Sequence, residues 1–335
     1  MTASNDIYPP APPEGRYLVT GASGFIGTRW CRRLVEAGNK VLALDLRRSD
    51  KLPTEVEFAP VDITNRALVE SAVSDFQPDY GFHLAARVGD WGPASSYQAI
   101  NVEGTRNVLD ALIANGAKRA VHLSSIAALG HAPRALADET DPPIDSHDAY
   151  SQSKADSERL ARRMQADGAP IVVIRPGDVY GVGSVPWVLR PTELLRSKRL
   201  FLVDGGKGIM APVHVDNLLD GFSLVLAREE ALGQVYQILD GDGGIPFGEY
   251  FTELARALEL PTPKLSLPKW AALSVGALSE AWATMTRTDP QITRTAVQFV
   301  CRSGGYSAAK ARAELGYRPR RTLPEGLSDL TADDI

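Results

Sequence analysis

The sequence predicts an α/β protein: a doubly wound parallel sheet followed by a smaller, mixed α/β lobe. Three observations predict it. Short runs rich in Val, Leu and Ile alternate with segments of helical period as far as Gly181; a glycine turn joins the first run to the first helix; and beyond Gly181 prolines break the rhythm. Strand–helix–strand alternation implies parallel pairing through right-handed crossovers, with helices covering both faces. At 335 residues the chain has room for two domains of about 150 residues each.

Residues 1–16 carry Pro9, Pro10, Pro12 and Pro13 and read as an extended or disordered tail. Tyr17–Val19 follows as a strand, and Phe25–Ala37 as a helix whose Phe25, Ile26, Trp30, Leu34 and Val35 share one stripe. Val41–Leu44 is the next strand. Val56–Val61 is strand-like, with Pro60 leaving its end open. Arg66–Phe76 reads as helix, Tyr80–Leu84 as extended, and Val102–Asn115 as a helix stopped by Gly116. Ala120–Ser124 (strand), Ser151–Ala166 (helix) and Ile171–Ile174 (strand) complete the alternation. Residues 17–181 thus form a dinucleotide-binding domain. Residues 182–335 form a substrate lobe, interleaved with the last sheet strands and covering their carboxyl ends.

Composition narrows the function. Hydrophobic residues make up 44% and charged residues 23%, ordinary globular values. With 36 Lys+Arg against 41 Asp+Glu and no basic run, nucleic acid is not an expected partner. Cys31 and Cys301, the two cysteines, make no disulfide framework or zinc motif. His83, His122, His131, His147 and His214 are scattered, with no metal-ligand spacing, so no metal is expected. There is no Gly-x-Ser-x-Gly elbow. The N-terminus lacks the basic-then-apolar pattern of a secretory signal, and no run of about 18 apolar residues occurs, so a cytoplasmic location is expected.

The turn Thr20-Gly21-Ala22-Ser23-Gly24-Phe25-Ile26-Gly27 has the spacing G-x-x-G-x-x-G between a strand and a helix. Gly21 suits the tight turn, Gly24 clears space for a pyrophosphate, and Gly27 lets helix and strand close up, as in a Rossmann-type fold. The helix N-terminus offers free N–H groups to phosphate. A merely flexible loop is the plain alternative. Asp45, ending the next strand, favours NAD over NADP by receiving both ribose hydroxyls and repelling a 2′-phosphate. Arg47 and Arg48 pull the other way unless they belong to a solvated loop.

Ser125, Tyr150 and Lys154 form the catalytic candidate. Tyr150 and Lys154 are four residues apart at the start of a helix, on one face, and Ser125 follows a strand end, where an open parallel sheet places its ligand. An ammonium beside a phenol lowers the phenol's pKa from near 10, so that Tyr150 exchanges a proton with a substrate oxygen that Ser125 holds. Asn101 is a candidate to orient the lysine through a water, or else an ordinary helix N-cap.

TGASGFIG, the HLAA of His83–Ala86, NVEGTRNVLDA, HLSSIAALG, YSQSK and RPGDVYG together resemble the extended short-chain dehydrogenase/reductase superfamily, of epimerase/dehydratase type. PVHVDNLLDG, GQVYQILDG with PFGEYFTELARAL, and YSAAKARAELGYRP resemble its 3β-hydroxysteroid dehydrogenase branch, which includes sterol-4-carboxylate 3-dehydrogenases. The resemblance spans Tyr17 to Leu327. It implies that Gly21, Ser23, Gly24, Phe25, Ile26, Gly27, Asp45, Leu46, Asp62, Ile63, Leu84, Ala85, Ala86, Pro176 and Gly177 hold NAD, with Tyr150 and Lys154. Asp62 would meet adenine, and Pro176 and Gly177 would flank the nicotinamide. It also implies a homodimer. One departure is Ala128-Leu129-Gly130 where the family has Tyr-Gly; Leu129 removes a hydroxyl near the substrate, which suits an apolar ligand.

The expected function is NAD-dependent oxidation of a secondary alcohol on a bulky, steroid-like or other lipidic substrate, or the reverse reduction. The alternatives are a sugar-nucleotide epimerase/dehydratase, with Arg190 or Arg196 for a second pyrophosphate, and a non-catalytic NAD(P)-sensing protein. Finally, Trp270, Leu273, Ala277, Leu278, Ala281, Trp282 and Met285 recur at helical spacing in Leu267–Met285. This stripe is expected to line or lid the substrate pocket, with Trp282 as a contact; a core helix is the plainer reading. The absence of Lys and Arg across the other face argues against a helix lying on a membrane.

Overall fold

A computed structural model describes residues 8–131 and 133–331. Seven strands form one sheet: β1 (Arg16–Thr20), β2 (Lys40–Asp45), β3 (Glu57–Pro60), β4 (Tyr80–His83), β5 (Arg119–Leu123), β6 (Ile171–Pro176) and β7 (Val235–Ile238). Their spatial order is β7-β6-β5-β4-β1-β2-β3, and every pair is parallel. Strands buried on both faces read as continuous apolar runs; Ile171–Ile174 is fully buried and so is nearly all of β5. Pro60, which has no N–H to give, sits at the end of the edge strand β3.

The crossovers run through α1 (Phe25–Glu36), α2 (Arg66–Phe76), α3 (Gly104–Ala114) and α4 (Ala149–Ala166). One face of the sheet packs Trp30, Leu34, Phe82 and Phe222 into a core; the other packs Leu18, Val69, Val108, Leu112 and Ala161. The order reverses between β4 and β1, so a crevice opens at the carboxyl ends of these strands, which is where such sheets bind ligands.

From the second half of the chain come α5 (Val215–Ala227), β7, α6 (Phe247–Ala257), α7 (Lys269–Thr286) and α8 (Arg294–Val300). Val188, Phe247, Tyr250, Phe251 and Leu254 form a separate core there, stacked above the strand ends.

Two expectations need correction. The helix expected to start at Val102 is already helical from Ala94 and passes through a wider π-helical turn, Gln98–Glu103, before α3. Asn101 lies inside that turn and caps nothing. The tail is packed from Tyr8 onward: the Tyr8 hydroxyl donates to the Arg318 carbonyl at 2.6 Å, the Arg318 guanidinium covers the Tyr8 ring, and Tyr17 donates to the Pro13 carbonyl at 2.7 Å. Residues 1–7 lie outside the described residues.

Candidate functional site

The glycine turn is sterically fixed. Gly21 has φ +67°, and a Cβ there would meet the Ala85 nitrogen at 2.7 Å; a Cβ on Gly27 would meet the Gly21 carbonyl oxygen at 2.2 Å. Gly24 caps α1 without a side chain, leaving the first N–H groups of the helix uncovered by any cap. Asp45 reaches from β2 across this turn: its carboxylate accepts from the Ser23 N–H at 3.0 Å and the Leu46 N–H at 2.7 Å. Asp62 accepts from the Thr64 N–H and hydroxyl. The Arg48 guanidinium is engaged by its own loop, donating to the carbonyls of Val56 and Pro53.

A buried polar chain that the sequence reading missed supports the Leu84–Ala86 turn. His83 bonds Thr20 through Nδ1 at 2.8 Å and Thr105 through Nε2 at 2.9 Å; Thr20 accepts from the Ala85 N–H, and Thr105 donates to the Asn101 carbonyl. Burial, helped by the nearby Lys154 charge, pulls His83 down to about 3, so the ring is neutral. The donors and acceptors then fit the tautomer protonated on Nε2. The only signal in the sequence was His83 within HLAA.

On the far side of the crevice, Asp148 caps α4 by accepting from the Ser151 N–H at 2.8 Å, and also accepts from His131 Nε2 at 2.9 Å. Burial pushes its carboxyl up, but the hydrogen bonds from His131, Ser151 and Ser146 outweigh that and hold it at about 2. Tyr150 and Lys154 follow in the first turns of α4, where Tyr97 meets the Tyr150 ring edge-on. Burial pushes the Tyr150 phenol up to about 12, with the Ser125 hydroxyl pulling it down and the Asp148 and Asp178 charges adding to the rise. Burial lowers Lys154 to about 8 against the opposing pull of Glu158. Its Nζ donates to the Leu123 carbonyl at 2.7 Å. Ser125 Oγ accepts from the Ala127 N–H at 3.0 Å.

These groups line one cavity of 820 Å³. Gly21, Gly24, Phe25, Ile26, Gly27, Asp45, Leu46, Asp62, Ile63, Leu84, Ala85 and Ala86 form one half of its wall, and Ser125, Tyr150, Lys154, Pro176 and Gly177 its middle. The other half is mainly apolar, with Trp187, Leu194, Phe247, Phe251, Ile292, Phe299 and Val300. The spacing of the glycines, the carboxylate of Asp45 and the continuous cleft suit a dinucleotide. Ser23 and Asn101 are outside this wall; the Asn101 amide donates to Ser153 Oγ at 2.8 Å and to the Arg87 carbonyl at 3.0 Å.

Three expectations meet a different arrangement. Trp282 is 63% exposed and is not part of the cavity wall, so the Leu267–Met285 stripe does not lid the pocket. Its helix turns that stripe outward because small residues, Ala272, Gly276 and Ala283, are what pack inward. Leu129 is buried in a small core with Ile126 and Tyr306, away from the cavity. Arg190 reaches the cavity but is paired with Asp90 at 3.2 Å, and Arg196 does not line it. The aromatic wall was missed because its members come from three separate segments.

The model of the NAD dependent epimerase/dehydratase family matches residues 17–238. Among similar proteins are the 2-alkyl-3-oxoalkanoate reductase of Stenotrophomonas maltophilia, 30% identical over 95% of this chain and 98% of its own, and the 3 beta-hydroxysteroid dehydrogenase/Delta 5→4-isomerase of Mycobacterium tuberculosis, 30% identical over 94% and 89%. Among solved structures, UDP-glucose 4-epimerase of Thermotoga maritima superposes with a TM-score of 0.77 at 22% identity, covering 94% of this chain and 96% of that one. At that identity the likeness concerns the fold alone. Glycine turn, cleft and Tyr-x-x-x-Lys pair agree with these matches: the chain belongs to the NAD dependent epimerase/dehydratase family and is an NAD-dependent oxidoreductase of the extended short-chain dehydrogenase/reductase type.

Proposed function

We propose that the protein oxidises a secondary alcohol on a bulky apolar substrate, steroid-like or long-chain, and catalyses the reverse reduction of the ketone, with NAD rather than NADP. One observation carries this reading: the residues that suit the dinucleotide, the Tyr150 phenol and the apolar side chains of Trp187, Phe247, Phe251 and Phe299 line one and the same cavity. Relatives whose names specify an alkanoate, a farnesyl-bearing quinoline oxide and steroids support the apolar class.

When bound, NAD supplies the hydride acceptor. Asp45 receives the adenosine ribose hydroxyls, and Gly24 with the start of α1 receives the pyrophosphate. Tyr150 accepts the proton of the substrate hydroxyl as the C–H bond gives up its hydride, leaving a carbonyl. Ser125 donates a hydrogen bond to that oxygen and fixes its position. Lys154 lowers the cost of the phenolate, since an ammonium close by favours the charged phenol form. Asn101 positions the segment around Arg87 and Ser153. We also carry homodimerisation as part of this proposal, to be read by light scattering.

The test is a panel of 3β-hydroxysteroids, lipidic 3-hydroxy acids and UDP-sugars with NAD, followed by NADH absorbance. Stoichiometric NADH from a lipidic alcohol is the expected result. Conversion of a UDP-sugar without net NADH would overturn it in favour of an epimerase.

A further inference from the structure

A surface helix ordinarily turns its apolar stripe to the core. α7 does the reverse. At about 3.6 residues per turn, the side chains of Trp270, Val275, Leu278, Trp282 and Met285 fall within an arc of roughly 140°. All of them face outward: Trp270 is 73% exposed, Leu278 72%, Trp282 63% and Met285 70%. The other residues in that arc are Ala271, Ser274 and Ala281, so it carries no charge.

The opposite face is made of small residues because it seats on α8. A Cβ on Gly276 would stand 3.0 Å from the Arg294 nitrogen, and Ala272 and Ala283 are buried beside it. α8 in turn gives Thr295, Ala296, Phe299 and Val300 to the cavity wall. The exposed apolar face is therefore one helix away from the substrate chamber. Between its ends the inner face of α7 carries no Lys or Arg, for the same reason: there it meets protein, not water.

The charges around the patch select its partner. Lys269 and Arg287 stand at the two ends of α7 and Lys264 just before it, none of them in an ion pair among the described residues. Lys198 leads into Leu202–Val203, which pairs with Ser266–Leu267 at the start of the helix, while the neighbouring Arg199 lines the substrate cavity. Of the nearby acids, Glu280 is held by Arg294 at 2.8 Å, Asp204 accepts from the Lys269 N–H, and Asp289 follows the helix. A local excess of cations on a chain of net charge −5 complements an anionic surface. A second copy docked by a two-fold axis would set the same cations against one another, whereas tryptophan rings suit the headgroup layer.

We propose that the outward face of α7 binds the surface of an anionic lipid bilayer, with Trp270, Leu278, Trp282 and Met285 in the headgroup–acyl boundary and Lys264, Lys269 and Arg287 against the phosphates. This goes beyond the reading of the reaction and is measured without turnover, so either one can fail alone. The experiment is co-sedimentation of the full chain with phosphatidylglycerol/phosphatidylcholine vesicles and with pure phosphatidylcholine vesicles, at low and high salt. It is paired with tryptophan quenching by brominated lipid. Expected are preference for the anionic vesicles, loss of binding in high salt, and quenching of tryptophan emission. Leu278→Ser with Trp282→Ser should reduce the bound fraction at least ten-fold, with melting temperature and NADH binding unchanged. Three results overturn the proposal: no vesicle binding by the unaltered protein, equal binding by the double variant, or a double variant that changes oligomeric state where no vesicle binding exists. The quenching arm needs no variant, so a misfolded double variant leaves the test intact.

Discussion

Lys154 Nζ donates to the Leu123 carbonyl at 2.7 Å, tying the helix that carries Tyr150 to the end of the strand that leads into Ser125. One of the three ammonium protons is committed to that carbonyl, and the others remain for the cleft. Because Leu123 ends β5 and Ser125 is two residues on, the bond sets phenol, hydroxyl and ammonium in one register against Pro176 and Gly177, which line the same cavity.

A pH dependence follows from this arrangement. Oxidation as proposed needs Tyr150 without its proton, and burial pushes the phenol up to about 12. In the mechanism proposed above, the charged Lys154 ammonium lowers the phenol's pKa, so kcat/KM for oxidation should rise with pH and level off, while reduction falls over the same range. Lys154→Met removes the compensating charge. Its oxidation profile should shift to higher pH and still be climbing where the unaltered enzyme is flat. Superimposable profiles would mean that the lysine does not act on the phenol.

Tyr150→Phe keeps the ring that meets Tyr97 and removes the proton carrier. Acid–base catalysis contributes about 10²–10⁴-fold, so turnover should fall by that factor with NADH binding, read by fluorescence, little altered. A variant retaining a tenth of the activity would falsify the assignment of Tyr150 as the base.

Much of this site was legible in the sequence because its logic is local. Arg66–Phe76 matches its expected bounds, and the glycine turn, Asp45 and the Tyr150–Lys154 spacing need only their neighbours along the chain. Other features depend on contacts that no local pattern encodes. Periodicity marked α7 as amphipathic but was silent on which face turns inward; that was decided by small residues seated on α8. The cap alternative for Asn101 arose because nothing in Ala94–Gln98 announces that the helix has begun. Trp187, Phe247, Phe251 and Phe299 share a wall only after folding.

The preference for NAD proposed above rests on Asp45. With its carboxylate held at the turn by the Ser23 and Leu46 N–H groups, a 2′-phosphate meets a negative charge there. Calorimetry should give tighter binding of NAD than NADP. Asp45→Ala should narrow the difference without inverting it, since Arg48 is engaged by the carbonyls of Val56 and Pro53. Equal binding of both cofactors by the unaltered protein would sink the assignment.

Behind the site, Arg175 and Glu158 are both fully buried and joined at 2.6 Å, and Ser124 Oγ donates to the same carboxylate at 2.7 Å. Charged residues on a helix reading RLARR suggest a solvated face, yet this pair braces β6 against α4. Removing one partner of a buried ion pair costs about 3–5 kcal/mol, because the other charge is left without compensation. Arg162 stands 3.5 Å from the same carboxylate, so Arg175→Leu should lower unfolding free energy in urea titration by less than that figure. Adding Glu158→Gln should restore part of it, since both charges are then gone. Glu158 also holds the Lys154 pKa up against burial. Glu158→Gln alone should let the ammonium lose its proton at lower pH, leaving Tyr150 less assisted. Its oxidation profile should then move toward higher pH, in the same direction as Lys154→Met and by less. A stability loss with an unmoved pH profile would confine the pair to bracing the fold. Movement of both would show that one buried carboxylate holds the strand and sets the charge of the lysine.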